Sequence, residues 1–468
     1  VRHQRHPQVV ALGALCDIRY RDIHAHLGRV RSNGGAPAEV LVPGVALHIE
    51  VDPDGVVPSA SGSVLRVPDT GAAALDVRPV RPFRLRLVPI HHSMDSELTL
   101  SRGQAVTRMV SDIFPFAEFD VDVREPYVTR ATLSTDQGWY DLIYEIALLR
   151  ADDGSDRYYY GGFQRPLTTS ILGLGYIGYP VSIGSEDAPG TIAHEIGHNL
   201  SLPHAPCGGP SEPDGRFPYE DGSIGQFGYD RRQGRVFDPT RHFDLMSYCD
   251  PIWISDYNYQ RVMAYRDTSL FDAEFEDPST GEVRAPTERV LVIGGGVRDG
   301  ELVLQPAVEW NAPATVSGDA DLYTVEGLDT DGRPLFSVPV QPLRLDHGEN
   351  TMFLVSVPIE EARPDRLATL RLTGPEGTAV RERPRGRAAP ADVVVERGAA
   401  RSAGRAGRAE ARWDSDAYPL AVVRDRRTGR ILAMARDGRL PIPGGDVSGI
   451  EVTLSDGVRT ERARVSVR

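Results

Sequence analysis

Apolar and charged positions alternate along Phe83-Arg-Leu-Arg-Leu-Val-Pro89, a period of two that predicts a half-buried strand opening a new unit. Upstream, in residues 1–80, runs such as 40–51 and 64–67 are set off by Gly and Pro and read as short strands. Downstream the period lengthens. Trp139, Leu142, Ile143, Ile146 and Leu149 recur at helical spacing behind a cap at Thr135 or Asp136. Residues 158–163 then read as a strand, and 170–183 as a strand pair or one bent strand. A helix is expected from Thr191. Ser255 caps another that carries Tyr259, Val262 and Met263 on one face. Beyond about residue 275 short apolar strands alternate with turn signals, Asp299-Gly300, Asp331-Gly332, Asp437-Gly438 and Asp456-Gly457, without a convincing helix. That is the pattern of β-sandwich modules.

At 468 residues the chain exceeds what one hydrophobic core holds. The expected organisation is a β-rich segment at 1–80, a mixed α/β domain at 81–275, a β-sandwich module at 285–385, an Arg/Ala/Gly-rich linker at 386–412 and a small β module at 413–468. The change of pattern near 275 implies that a chain ending there keeps a folded α/β domain. A 40% apolar and 25% charged composition fits folded domains and not disorder. No apolar run reaches about 18 residues, so no transmembrane helix is expected.

The formal charge of −14 argues against a nucleic-acid partner, which would need a basic face. The Arg-rich stretch 381–412 reads as solvated linker. All basic residues other than histidine are arginine. Cys16, Cys207 and Cys249 are too few for a disulfide-built scaffold but allow one bridge in an oxidising compartment. Residues 9–16 are apolar but too short for a signal-peptide core, so no signal sequence is visible.

The informative segment is His194-Glu-Ile-Gly-His-Asn-Leu-Ser-Leu-Pro-His204. Residues four apart share a helix face, so His194 and His198 can turn both imidazoles to one metal ion, with Glu195 beside it. Pro203 cannot continue a helix and disfavours helical geometry at Leu202, so the helix ends before His204. A turn there can return His204 as a third ligand. Three imidazoles leave one tetrahedral position for water, the pattern of a catalytic zinc site. Glu195 is then the general base.

This segment resembles the elongated zinc motif of metzincins, the superfamily of astacins, serralysins and reprolysins. Where those have Gly after the second ligand, Ser201 stands here, at a turn that wants positive φ. Asp244-Leu-Met-Ser-Tyr248 is similar to the metzincin Met-turn. The resemblance implies that Met246 lies beneath the metal and that Tyr248 aims at it and stabilises an oxyanion. It covers about residues 80–270. Ala205-Pro-Cys-Gly208, Gly222-Ser-Ile-Gly225, Gly228-Tyr-Asp230 and Trp253-Ile-Ser-Asp256 look like bacterial secreted metzincins, some of which attack mucin-type glycoproteins. The fold it implies is a multidomain chain: a metzincin-like α/β (α+β) catalytic domain, with twisted sheet and active-site helix, flanked by all-β sandwich-like modules. It also carries Cys207 and Cys249 to one neighbourhood, implying a bridge between them with Cys16 left unpaired. Closing a loop of about 40 residues is worth roughly 4 kcal/mol in the chain-entropy model.

The expected function is thus a zinc-dependent endopeptidase acting on extracellular proteins or glycoproteins. A metalloprotease-fold binding or adhesion protein and a zinc amide hydrolase stay open as alternatives, and oligomeric state is not legible. Gly173-Leu-Gly-Tyr-Ile-Gly178 matches a dinucleotide fingerprint by letters, but Tyr179-Pro180-Val181 is extended where a helix should open. In a metzincin this stretch forms the sheet edge above the cleft, where an extended substrate pairs. Glu212 and Glu220, which a thermolysin-like site would need on a helix, fall in a Gly/Pro-rich loop. His24 with His26 and His91 with His92 lack a third partner. His242 is a candidate substrate-contact or supporting residue near the Met-turn.

Overall fold

The computed structural model describes residues 80–91, 107–164, 171–268, 287–315, 322–384, 391–397, 409–442 and 447–467, with short pieces between 44 and 78. Cys16, His24, His26 and His92 lie outside the described residues. Two compact units result: a larger one of 82–111, 118–203 and 268–468, and a smaller one of 1–81, 112–117 and 204–267. The architecture is mostly β, with several sheets and few helices.

In the larger unit, the alternating segment forms β1 (Phe83–His91). It runs parallel to β2 (Phe119–Val123), β3 (Tyr127–Val128) and β4 (Tyr158–Phe163). The next stretch is two strands. β5 (Gly173–Gly175) is antiparallel to β6 (Val181–Ser185), which is parallel to β4. β5 thereby ends the path of a ten-stranded sheet.

The first helix is α1 (Asp136–Asp152), and Thr135 caps it by accepting a bond from Gly138 N. An amphipathic helix would bury one stripe, yet α1 buries nearly every residue from Gly138 to Leu149. The reason lies downstream. In β7 (Glu288–Arg298) the period of two sends Val290 and Val292 into the α1 core, while Leu291 and Ile293 enter a second core. β7 is flanked by β8 (Val308–Ala312) and β10 (Thr351–Pro358), and β9 (Leu343–Arg344) pairs with β10. The second core is shared with a four-stranded sheet that brings Val325, Phe336, Leu370 and Leu372.

The same division recurs near the C-terminus. β11 (Leu420–Asp425) gives Leu420 and Val422 to the α1 core and Ala421 and Val423 to a third core. β12 (Ile431–Ala435) pairs with β11 and meets β3 at Ala433 and Val128, so these strands and β13 (Ile450–Ser455) extend the large sheet. Inside, Glu145 of α1 accepts from the Tyr127 and Thr129 hydroxyls and pairs with Arg436 at 2.9 Å.

Part of the expected linker is ordered. Asp392–Arg397 and Ala409–Arg412 are antiparallel strands, because Val393 and Val395 supply a buried β-branched face that the arginine count obscures. Beyond 275 one four-residue helix occurs among the described residues, Ile359–Ala362. No helix among the described residues is long and apolar enough to cross a membrane.

The α1 core draws on strands beyond residue 275, so a chain cut there loses part of that core. Each buried Val, Leu or Ile lost from α1 removes ~1.5–3 kcal/mol. Several together exceed the ~5–15 kcal/mol net stability of a typical domain. A chain ending at residue 275 should therefore be insoluble or bind hydrophobic dye strongly. A soluble, cooperatively melting product would show that the core of α1 does not need β7, β8, β11 and β12.

Candidate metal centre

Helix α2 (Pro189–Asn199) starts two residues before the expected Thr191, because Pro189 occupies its first turn, where a missing N–H costs nothing. It packs Ile192, Ala193 and Ile196 inward. Asn199 fastens its end to the β5–β6 hairpin. Its Nδ2 donates to Tyr176 O and Val181 O at 3.0 and 2.9 Å, and its Oδ1 accepts from Ser182 Oγ at 2.9 Å.

The helix stops in a tight two-bond turn. Ser201 N donates to His198 O at 2.8 Å and Leu202 N to Gly197 O at 3.1 Å, with Ser201 at φ +66°. The left-handed geometry that usually falls to glycine is thus adopted by serine. This turn aims Leu202 O at His198 Nδ1, 2.7 Å away, which fixes the ring and leaves Nε2 to face outward.

His198 Nε2 lies 3.1 Å from His194 Nε2. That is close to the separation of two ligands each ~2.0–2.1 Å from one zinc ion. His204 follows Pro203 directly, and its Nδ1 bonds Ser211 O at 3.0 Å. One nitrogen from each of His194, His198 and His204 falls within 4.8 Å of the others, so this cluster can hold a metal ion. Three imidazoles, two of them oriented through Nδ1 by carbonyls, are a donor set that suits zinc.

Glu195 is buried beneath β5, whose glycines make room for it. A Cβ on Gly173 would come within 2.3 Å of Glu195 Oε1, and one on Gly175 within 3.1 Å of Oε2. The glycines of the apparent dinucleotide fingerprint therefore serve close approach of strand and helix. Burial, and then the neighbouring Asp346 carboxyl, hold the Glu195 carboxyl well above the usual carboxylate range.

In the smaller unit, Asp244 organises the segment around Met246. Its Oδ1 accepts from Met246 N at 2.7 Å and Asn258 Nδ2 at 2.9 Å, and its Oδ2 from Ser255 N at 2.8 Å. Ser255 in turn caps the helix Asp256–Thr268 through Asn258 N, as its position suggested. Met246 is fully buried, and its carbonyl accepts from Ala205 N at 2.9 Å, tying the segment to the residue after His204. Cys207 and Cys249 form a disulfide. Tyr248 N donates to Cys207 O, and Gly208 lies so close to Tyr248 that a Cβ would come within 2.6 Å. The Tyr248 hydroxyl is 3.2 Å from His204 Nε2, and the residue is 44% exposed.

Glu212 and Glu220 are exposed and non-helical, which leaves the thermolysin-like pattern without its helix. His242 is buried, with Nδ1 on Asp238 O at 2.9 Å and its ring against Phe237. His91 ends β1. Sequence reasoning passed over Asn199 and Asp346. Asn199 stands beside a predicted ligand, a weak signal, whereas nothing local marks Asp346.

The family model of Peptidase M66, a metallopeptidase family, matches residues 160–248, from β4 through Tyr248. The match supports a metallopeptidase. No curated protein matches the chain.

Two outcomes follow for stability. Ser201→Gly should stabilise by about 1 kcal/mol or somewhat less, since a non-glycine residue spends ~1–2 kcal/mol in the left-handed region and glycine returns part of that as unfolded-state entropy. Thermal melting checks it, and a lower melting temperature refutes the strain. Asp244→Ala strips three donors of their acceptor, so a loss of ~3 kcal/mol or more is expected in denaturant unfolding.

Proposed function

We propose that the chain is a zinc-dependent endopeptidase of metzincin type that hydrolyses extracellular proteins, glycoproteins among them. The observation that carries this reading is the convergence of the His194, His198 and His204 nitrogens next to a carboxylate on the same helix. The Peptidase M66 match over the same residues supports the peptidase part. The Cys207–Cys249 bridge favours an extracellular setting, where disulfides persist.

A zinc ion at the three imidazoles would supply Lewis-acid polarisation of a peptide carbonyl and of a water molecule. Glu195 takes a proton from the attacking water and returns it to the leaving amine. Burial and the Asp346 carboxyl raise its pKa, which makes it a stronger base than a solvated carboxylate. Tyr248, tethered through the disulfide loop and near His204, donates to the developing oxyanion. One such donor elsewhere is worth ~3 kcal/mol. Met246 is fully buried, and Asp244 fixes the loop that carries it and Tyr248. The −14 charge speaks against nucleic acid as a substrate.

Glu195→Gln should retain zinc and fold while peptide hydrolysis falls ~100- to 10,000-fold. His204→Ala should lower zinc content as measured by elemental analysis. A Glu195→Gln protein with a third of the original activity would refute the general-base assignment and favour a binding or adhesion role. Cleavage of a simple amide but of no peptide would favour the amide-hydrolase alternative.

A further inference from the structure

The edge strand β5 is already paired. Downstream residues of the β9–β10 hairpin lie against its outward side: Tyr176 bridges Leu345 in antiparallel register. Ile177 N donates to Arg344 O at 2.9 Å. Gly175 presents both of its outward backbone groups to one residue: its N–H donates to Asp346 Oδ1 at 2.9 Å, and its carbonyl accepts from Asp346 N at 3.1 Å. An extended peptide added to this edge would need these same groups.

The second carboxylate oxygen reaches the chemistry. Asp346 Oδ2 lies 3.7 Å from His198 Nε2, the nitrogen that the Leu202 contact leaves facing the metal position. Glu195, His198 and Asp346 each offer a ligand atom within 4.8 Å of the others, and all three residues are buried. Two carboxylates confined in one buried spot repel each other, and a divalent cation beside them relieves that cost. Three imidazoles leave a fourth position, which a carboxylate oxygen can fill as well as water can. Leu345 and Met352 anchor the hairpin in the α1 core, whereas Gly348 and Glu349 at its tip are exposed.

We infer that Asp346 is an intramolecular occupant of the catalytic site. Residues 344–346 stand where a substrate strand would pair, and the Asp346 carboxylate closes the open side of the histidine cluster, so the enzyme is latent until the hairpin tip lifts. This rests on the peptidase reading above. It assigns the 285–385 region a direct part in gating the site. A substrate must displace both the Gly175 contacts and the carboxylate, and long chains that pair along β5 can do so better than short ones.

The test uses the full chain and Asp346→Asn, which keeps shape and an acceptor for Gly175 N but removes the charge. Zinc content is measured first, then the visible spectrum of the cobalt-substituted protein and the affinity for a small peptide hydroxamate. Asp346→Asn should change the cobalt spectrum and bind the hydroxamate at least tenfold more tightly. In the unaltered protein, saturating hydroxamate should speed deuterium exchange at the amides of Ile177 and Asp346, a readout that does not depend on the variant folding. Absence of zinc from the unaltered chain would sink the peptidase reading and the latch together. Zinc present, with hydroxamate affinity within twofold and exchange unchanged, would sink the latch alone. Weaker hydroxamate binding by Asp346→Asn would instead make Asp346 a positioning residue and overturn latency.

Discussion

The site depends on where helix α2 ends. Its two imidazoles must leave the helix on one face, and the chain must reverse at once if His204 is to approach them. The turn at Ser201 does both. It ends the helix at Asn199, and it delivers Leu202 O to His198 Nδ1, so the stop signal and the orientation of His198 are one hydrogen-bonded unit. The serine's positive φ stores a little strain in that unit, which the surrounding bonds must offset. Asn199, bonded to both strands of the β5–β6 hairpin, keeps the end of the helix from moving relative to the sheet edge.

Several carboxylates of the structure are buried. Glu195, Asp346, Glu145 and Asp244 are all buried, and each has a different answer to the cost of desolvation. Asp244 receives three donated bonds, and Glu145 has two hydroxyls and Arg436. Glu195 and Asp346 lie beside each other with His198 near both and Gly175 N donating to Asp346, an arrangement that a cation in place would stabilise. Asp244 and Glu145 are thus held by donors and an arginine, whereas each carboxylate of the pair beside the histidine cluster faces a like charge.

Strand periodicity explains how the α1 region and the all-β regions of the larger unit share their cores. Because consecutive side chains face opposite ways, β7, β11 and β12 each serve two cores at once. A helix that would otherwise need a solvated outer face can then be buried on nearly every side, as α1 is.

What the sequence determined by itself is local. The elements β1, α1, β4 and the α2 helix followed from period and caps within a few residues, and the three histidines with Glu195 followed from spacing along one helix and a proline that ends it. The Cys207–Cys249 pairing was legible through resemblance, since it needed the segment around Met246 to be folded back first. The start of α2 was misplaced by two residues because Pro189 reads as a breaker unless its place in the first turn is known. Val393 and Val395 were overlooked within an arginine-rich composition. What tertiary structure alone decided is which distant segments meet. The sequence holds no local trace that Val290, Leu420 and Ile431 complete the α1 core, or that Asp346 returns across more than a hundred positions to Gly175 and His198. The physical reason is that helix and strand periods record only which face of an element is apolar. The partner of that face, and the backbone groups an edge strand will pair with, are chosen by long-range packing, which leaves no period to read.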